Sequence, residues 1–407
     1  MNTTRTHLHR QSGRIRPVSG FRSAMSLHSH THHSRENLEF LPRYLDYHNI
    51  PLVTSLAKRR FADYKERTGK ALDFSRAYWT PPLPASHVLA SEKDQIENKL
   101  DLAAVVSITD HDSIAGPLEL QSDANAATVP ISVEWTVPFE GNAFHMGVHH
   151  LPPTRAVDIM EQLAYHTASP STEQLRNLLA MLSGFPETLI ILNHPCCNFV
   201  KVPADRHWQT LRDFIELCRS WIHAIEINGM RPWKENLKVL PLAEEYDLPI
   251  VAGGDRHGCR PNTMLNLTLA QTWGDYVQEI RTKQPNHVLV LPAYEEPVRL
   301  RELATAGDVL RCYPHHPYGQ RRFTDRVYAE VEGYSWHRLS FYLDGGKGTP
   351  AWLPPVVKGV VALSDNKVRP VLRFIFSMRG EYDRIEDEGK TEFASLATTL
   401  MMENTQS

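Results

Sequence analysis

Leu189-Ile190-Ile191-Leu192-Asn193-His194-Pro195 is a short apolar run that ends in an amide, an imidazole and a proline. A run this short, bounded by a turn former, reads as a fully buried strand, and Pro195 fixes the turn that follows. The same arrangement recurs on both sides, in residues 104–109, 129–135, 224–228 and 250–254. Between these runs, residues 171–183, 205–221 and 236–246 carry apolar side chains at helical spacing. Short apolar strands alternating with helices predict an α/β fold built from βα repeats. Several of the strands run into ionisable residues at one end, which is where such folds keep their chemistry.

The chain has 407 residues, enough for two or three structural units. Hydrophobic residues at 42% and charged residues at 22% are ordinary globular usage and exclude wholesale disorder. A formal charge of -3 provides no global basic field to draw nucleic acid. The 21 histidines are in excess of what scattered core positions require, so metal chemistry is worth searching for. Five cysteines, Cys196, Cys197, Cys218, Cys259 and Cys312, form neither a C-x-x-C pair nor an even framework. That usage fits a reducing compartment, and a cytoplasmic location is expected. No apolar run reaches the roughly 18 residues of a membrane span.

Residues 1–24 carry Arg5, Arg10, Arg14, Arg16 and Arg22 without an acid or an apolar core, and read as a disordered leader ahead of Met25. The βα rhythm occupies residues 25–292. It is interrupted at 36–86, where Lys58-Arg59-Arg60 and Thr80-Pro81-Pro82-Leu83-Pro84 suggest an inserted lid. Residues 293–407 read as a small appended extension of unknown role, with an acidic, frayed end from Gly380.

Five segments carry metal-ligand chemistry. In Leu27-His28-Ser29-His30, residues two apart on a strand face one way, so His28 and His30 can present two imidazoles to one cation. In Thr109-Asp110-His111-Asp112, carboxylates crowd a strand end without a nearby Lys or Arg; His111 reads as a ligand and Asp110 as the group supporting it. Glu134 stands among strand residues and could bridge two cations, and a later stretch holds His145, His149 and His150. His194 follows the run at 189–193. Cys196 and Cys197, next in line, read as small buried residues beside the site rather than as thiolate ligands. Asp255 and His257 repeat the two-apart spacing, and Gly253 and Gly254 leave room for close approach. Oxygen and imidazole donors of this kind suit Mn, Fe or Zn.

H-x-H-T, T-D-H, E with a later H-x-G, H-P and D-x-H occur in that order. The series resembles the PHP (polymerase and histidinol phosphatase) superfamily over roughly residues 26–290. The resemblance implies a distorted (β/α)7 barrel with a multinuclear centre of two or three divalent ions and phosphoesterase activity. It implies the ligands His28, His30, His111, Glu134, His145, His194, Asp255 and His257. Catalysis would then fall to His28, His30, His111, Glu134, Asp255 and His257. Glu226 and Asn228 match a strand before the last motif, and Arg231 would come close enough to the mouth to hold phosphate. Arg256 is a further candidate for substrate binding.

At one position the chain departs from the family. Where members carry Asp after H-x-H-T-x-x-S, this chain has Arg35, followed by Glu36. Arg35 could replace a third ion as a phosphate clamp, or Glu36 could fill the ligand position by a one-residue shift. The expected activity is metal-dependent hydrolysis of phosphate esters, with a small phosphorylated metabolite as substrate and no membrane partner. One alternative is a nuclease on short oligonucleotides or nucleotide bisphosphates, using Lys58, Arg59, Arg60, Tyr64, Tyr78 and Trp79. The other is a non-catalytic metal-binding regulatory domain.

Overall fold

The structure is a computed structural model that describes residues 6–378 except 12–13, 40–41, 43–50, 70, 72, 123–125, 127, 315, 317–318, 331–335 and 344–349. The acidic stretch from Gly380 lies outside the described residues. The strands in chain order are β1 Thr6–Arg10, β2 Ser23–Ser29, β3 Glu36–Asn37, β4 Ala77–Trp79, β5 Ala103–Val106, β6 Val133–Phe139 and β7 Asn142–His149. They continue as β8 Leu189–Asn193, β9 Ala224–Asn228, β10 Ile250–Arg256, β11 Met264–Thr268, β12 Asn286–Val290, β13 Val327–Ala329 and β14 His337–Arg338.

The main sheet has ten strands, ordered β1-β12-β11-β2-β10-β9-β8-β7-β6, with β5 on the other side of β2. The pairs β8–β9, β9–β10, β10–β2 and β2–β5 are parallel. The apolar runs of β8, β9 and β10 are buried on both faces, which parallel strands covered by helices require. Two isolated bridges, Ile108 with Ile131 and His111 with Glu134, join the chain beyond β5 to the chain entering β6.

The sheet is mixed in strand direction. β6 and β7 form an antiparallel hairpin, β7 pairs antiparallel with β8, and β11 runs antiparallel to β2 and β12. The hairpin turns at Glu140 and Gly141, with φ of 49° and 75°. A two-residue loop with both φ positive matches the twist of its flanking strands, and only glycine takes it without strain. The strand expected at 129–135 therefore begins later, at Val133, and continues to the turn.

Helices cover the sheet where the apolar periodicity places them. Thr172–Ser183 starts at Ser171, whose side chain accepts from the Gln174 N–H at 3.2 Å. It buries Leu175, Leu178, Leu179 and Leu182 on one stripe. Ala204–Cys218 does the same with Leu211, Phe214, Ile215 and Cys218. Together with Ala156–Ala168 these helices pack on Val133, Trp135, Ile190, Leu192, Ile225 and Ile227 to form the largest core. The helix expected at 236–246 is split into Trp233–Asn236 and Val239–Glu245.

Three expectations about the outer segments are corrected. Residues 6–10, placed in the disordered leader, form β1 along β12, and Thr6 donates to Asn286 at 2.7 Å. The 36–86 insertion and the C-terminal extension are not separate appendages. β3 and β4 from the first join β13 and β14 from the second in one four-stranded sheet, ordered β14-β13-β4-β3. Among the described residues no helix is long and apolar enough to cross a membrane.

Candidate metal centre

The site residues arrive at the ends of β2, β8 and β10, from the bridge beyond β5, and from the β6–β7 hairpin. His28 lies in β2 and His30 one residue past it; His194 follows β8; Asp255 lies in β10 and His257 just past it. His28, His194 and Asp255 hold φ of 65°, 25° and 53°. Non-glycine residues there cost on the order of 1–3 kcal/mol each, and such strain gathers at functional sites. Here it accompanies three side chains that converge on one carboxylate or its neighbour.

That carboxylate is Glu134, fully buried. Its Oε2 lies 2.9 Å from His28 Nε2, 3.3 Å from His30 Nε2 and 3.3 Å from His111 Nδ1. Its Oε1 lies 3.0 Å from His194 Nε2 and 3.3 Å from His145 Nδ1. Asp255 Oδ1 stands 3.3 Å from His30 Nε2 and 3.6 Å from His28 Nε2. Glu36 Oε2 completes a second carboxylate position, 3.3 Å from His111 Nε2 and 3.2 Å from His257 Nε2. The donors fall into three overlapping groups: His28, His30, Glu134 and Asp255; His30, Glu36, His111 and His257; and His111, Glu134 and His145.

These spacings fit divalent cations. Two ligands each about 2.0–2.2 Å from one ion, at tetrahedral or right angles, stand roughly 2.8–3.6 Å apart. His30 Nε2 and His145 Nδ1 are buried and make no hydrogen bond, although each lies 3.3 Å from a carboxylate oxygen. Orphaned buried nitrogens facing carboxylates are what a shared ion between them would explain.

Charge in the site points the same way. Burial opposes charge on Glu36, Glu134 and Asp255, yet the surrounding imidazoles hold all three well below the usual carboxylate range. Burial likewise opposes a proton on His111, but Glu36 and Glu134 outweigh it and raise the ring to about 10. His145, where burial wins over Glu134, falls to about 4. Buried carboxylates in this number need cations, and among the described residues the chain supplies protonated imidazoles, with Arg231 at the border.

A surrounding layer orients the donors. Glu226 Oε2 lies 2.7 Å from His28 Nδ1, which leaves Nε2 directed at Glu134. The other oxygen of Glu226 accepts from Asn228 at 2.7 Å, and Asn228 also donates to Asp255 at 3.2 Å. Carboxylates placed behind metal-binding imidazoles fix ring orientation and raise basicity in this way. Gly253 permits it: a Cβ there would meet Glu226 Oε2 at 1.9 Å, and one at Gly254 would meet Asn262. The room expected at these glycines thus serves neighbouring side chains. Asp110 accepts from the Thr31 N–H and hydroxyl at 2.5 and 2.8 Å, so it pins the turn after His30 rather than the His111 ring. Ser34 donates to Glu36 at 2.6 Å and accepts from the His111 N–H at 3.1 Å.

All eight residues expected as ligands are brought together, and the arginines divide. Arg35 is exposed, its guanidinium 5.5 Å above the Tyr78 ring, while Glu36 turns inward, the placement the one-residue shift requires. Arg256 is buried and donates to Glu92 at 2.6 Å on the opposite side of β10, so it does not reach the centre. Arg231 borders the site, its Nε buried, 3.7 Å from Glu235 and without a hydrogen bond.

Other candidates have structural duties. Burial pushes the Cys197 thiol up to about 11, unlike a thiolate ligand. His149 is buried with its Nδ1 2.8 Å from Ser107 Oγ, and His150 lies half-buried beside Glu187 and Trp273. Tyr78 stacks on Tyr328 and Trp79 is buried near His257, while Lys58, Arg59 and Arg60 are exposed on Pro51–Thr68; the side chain of Tyr64 lies outside the described residues. Ser34 and Asn193, which donates to Glu134 at 3.1 Å, are site residues that motif order does not single out, whereas Glu36 is the residue offered by the one-residue shift. The one signal for Glu36 is a carboxylate two residues after the serine.

No family model and no curated protein matches the chain. Among solved structures, part of the chain is similar to a protein described as a metal-dependent phosphoesterase from Bifidobacterium adolescentis, at 15% identity and a TM-score of 0.29, over 49% of this chain and 91% of that one. It is also similar to PsfC from Pseudomonas syringae, at 17% identity and a TM-score of 0.36, over 51% and 84% of the two chains. An amidohydrolase from Chromobacterium violaceum, with bound sulfate and no metal, matches at 14% identity and a TM-score of 0.29, over 44% and 82%.

Proposed function

We propose that the chain is a metal-dependent hydrolase of phosphate esters, built as a distorted barrel of the PHP type, with a small phosphorylated metabolite as substrate. The observation that carries this is the single carboxylate of Glu134 shared by five imidazoles, with Asp255 and Glu36 on either side. Three cation positions account for the donors. One lies among His28, His30, Asp255 and Glu134 Oε2; one among Glu36, His111 and His257; one among Glu134 Oε1, His145 and His194. Bound divalent ions would activate water and neutralise charge on the ester.

The chain's own residues supply the rest. Glu134 sets the separation of neighbouring positions, because its two oxygens face different donor groups. Glu226 keeps the Nδ1 side of His28 occupied, so its Nε2 stays available. Phe199 stacks on the His145 ring, centroids 4.3 Å apart, and covers one of its faces. Arg231 is the group suited to holding phosphate oxygens. Three divalent ions against Glu36, Glu134, Asp255 and Glu226 leave a surplus of positive charge, which favours an anionic phosphate ester over a neutral amide.

The test is a panel of phosphomonoesters, phosphodiesters and simple amides, offered to protein stripped by chelation and then reconstituted with Mn, Zn or Fe. Monoester hydrolysis that returns only with metal is expected. Turnover confined to amides, or none after full metal loading, would refute the assignment.

A further inference from the structure

The described residues hold one more group of imidazole and carboxylate donors, outside the centre: His32, His33 and Glu119. His32 and His33 lie in the turn between His30 and Ser34, and Glu119 projects from the helix Ala115–Gln121 that follows His111 and Asp112. His33 Nε2 is 2.9 Å from His32 Nε2 and 2.8 Å from Glu119 Oε2, and His32 Nε2 is 3.7 Å from the same oxygen.

Protons satisfy this triangle only if the single His33 Nε2–H is divided between Glu119 and the His32 lone pair. If the His33 Nε2–H donates to Glu119, that nitrogen has no lone pair left to receive a proton from His32. If His32 donates to His33 instead, the His33 lone pair faces a carboxylate oxygen at 2.8 Å. If both nitrogens carry protons, two N–H groups oppose each other at 2.9 Å. A cation at the middle makes all three contacts attractive, and the three donor atoms lie close enough together to reach one ion.

We propose that His32, His33 and Glu119 form a peripheral site for a divalent transition-metal ion of the zinc class. Two imidazoles and one carboxylate are a zinc-type donor set with a position left for water. Side-chain exposures of 13%, 29% and 42% leave the site open to entry from solvent. The ion ties the turn bearing His30 and Glu36 to the helix that follows His111. Two existing links already run along that seam: Thr31 to Asp110, and the His111 N–H to Ser34. The site is independent of the catalytic assignment, since none of its three side chains belongs to the central donor groups.

The experiment is zinc content of the full chain after equilibration with Zn2+ alone and removal of free metal. His33→Ala and Glu119→Gln are each expected to lose one ion per chain, or to bind it at least tenfold more weakly, relative to wild type. The same deficit is expected in a His28→Ala background, where the central centre is damaged, so the two sites fail separately. If His33→Ala does not fold, Glu119→Gln decides, being isosteric and at an exposed position. Peripheral variants that keep the wild-type complement and affinity would overturn the site.

Discussion

A buried carboxylate touched by five imidazoles fixes what each neighbour can be. Glu36 and Arg35 make the sharpest residue-scale contrast, because adjacent side chains on an extended segment face opposite ways. Glu36 meets His111 and His257, while Arg35 rests over Tyr78. Glu36→Gln should therefore remove one bound Mn ion per chain and lower turnover about tenfold or more, whereas Arg35→Ala should leave metal content and turnover unchanged. Elemental analysis beside a phosphatase assay checks this, and the opposite pattern would support the clamp. The alternation rule makes much of the site legible: H-x-H and D-x-H put His28 with His30 and Asp255 with His257. It also excludes Arg256, which stands between Asp255 and His257 and so faces away, towards Glu92. Glu36 was harder to assign, because its inward turn depends on pairing with β4, some forty residues away in the chain.

At the scale of elements, the buried strands β8 and β9 match their apolar runs residue for residue, since nothing but a covered strand suits such short runs. The β6–β7 hairpin was not legible, because its only local mark is Glu140-Gly141 and its partners are set by long-range pairing. The joint sheet of β3, β4, β13 and β14 was hidden for the same reason. One element-level device yields a pH test. His223, at the entrance to β9, accepts from the Ile190 N–H of β8 at 2.9 Å, and burial with Arg281 nearby pushes it down to about 3. Between that value and the ordinary 6.5 the unfolded chain takes up a proton that the folded chain refuses. This contribution is therefore full above 6.5 and is lost as pH falls towards 3, by on the order of a few kcal/mol. His223→Asn keeps an acceptor for Ile190 without the titration. Urea unfolding of both metal-free proteins should show the variant gaining relative to wild type as pH is lowered from neutral into the acid range. A stability difference that does not change with pH would contradict this role.

Over the whole molecule, three segments that look peripheral in sequence converge on the same sheet system. β1 extends its edge at β12, while β3 carries Glu36 into the centre on a second sheet completed by the C-terminal segment. The formal charge of -3 says nothing of this local concentration of donors, which exists only once the strand ends meet. Assembly of three cation positions about Glu134 is the central claim, and it concerns where ions sit as well as how many bind. Anomalous diffraction from crystals of the Mn-loaded protein measures that directly. Within the centre three peaks are expected, one among His28, His30, Asp255 and Glu134, one among Glu36, His111 and His257, and one among Glu134, His145 and His194. A fully loaded crystal with no peak in contact with Glu134 would contradict it.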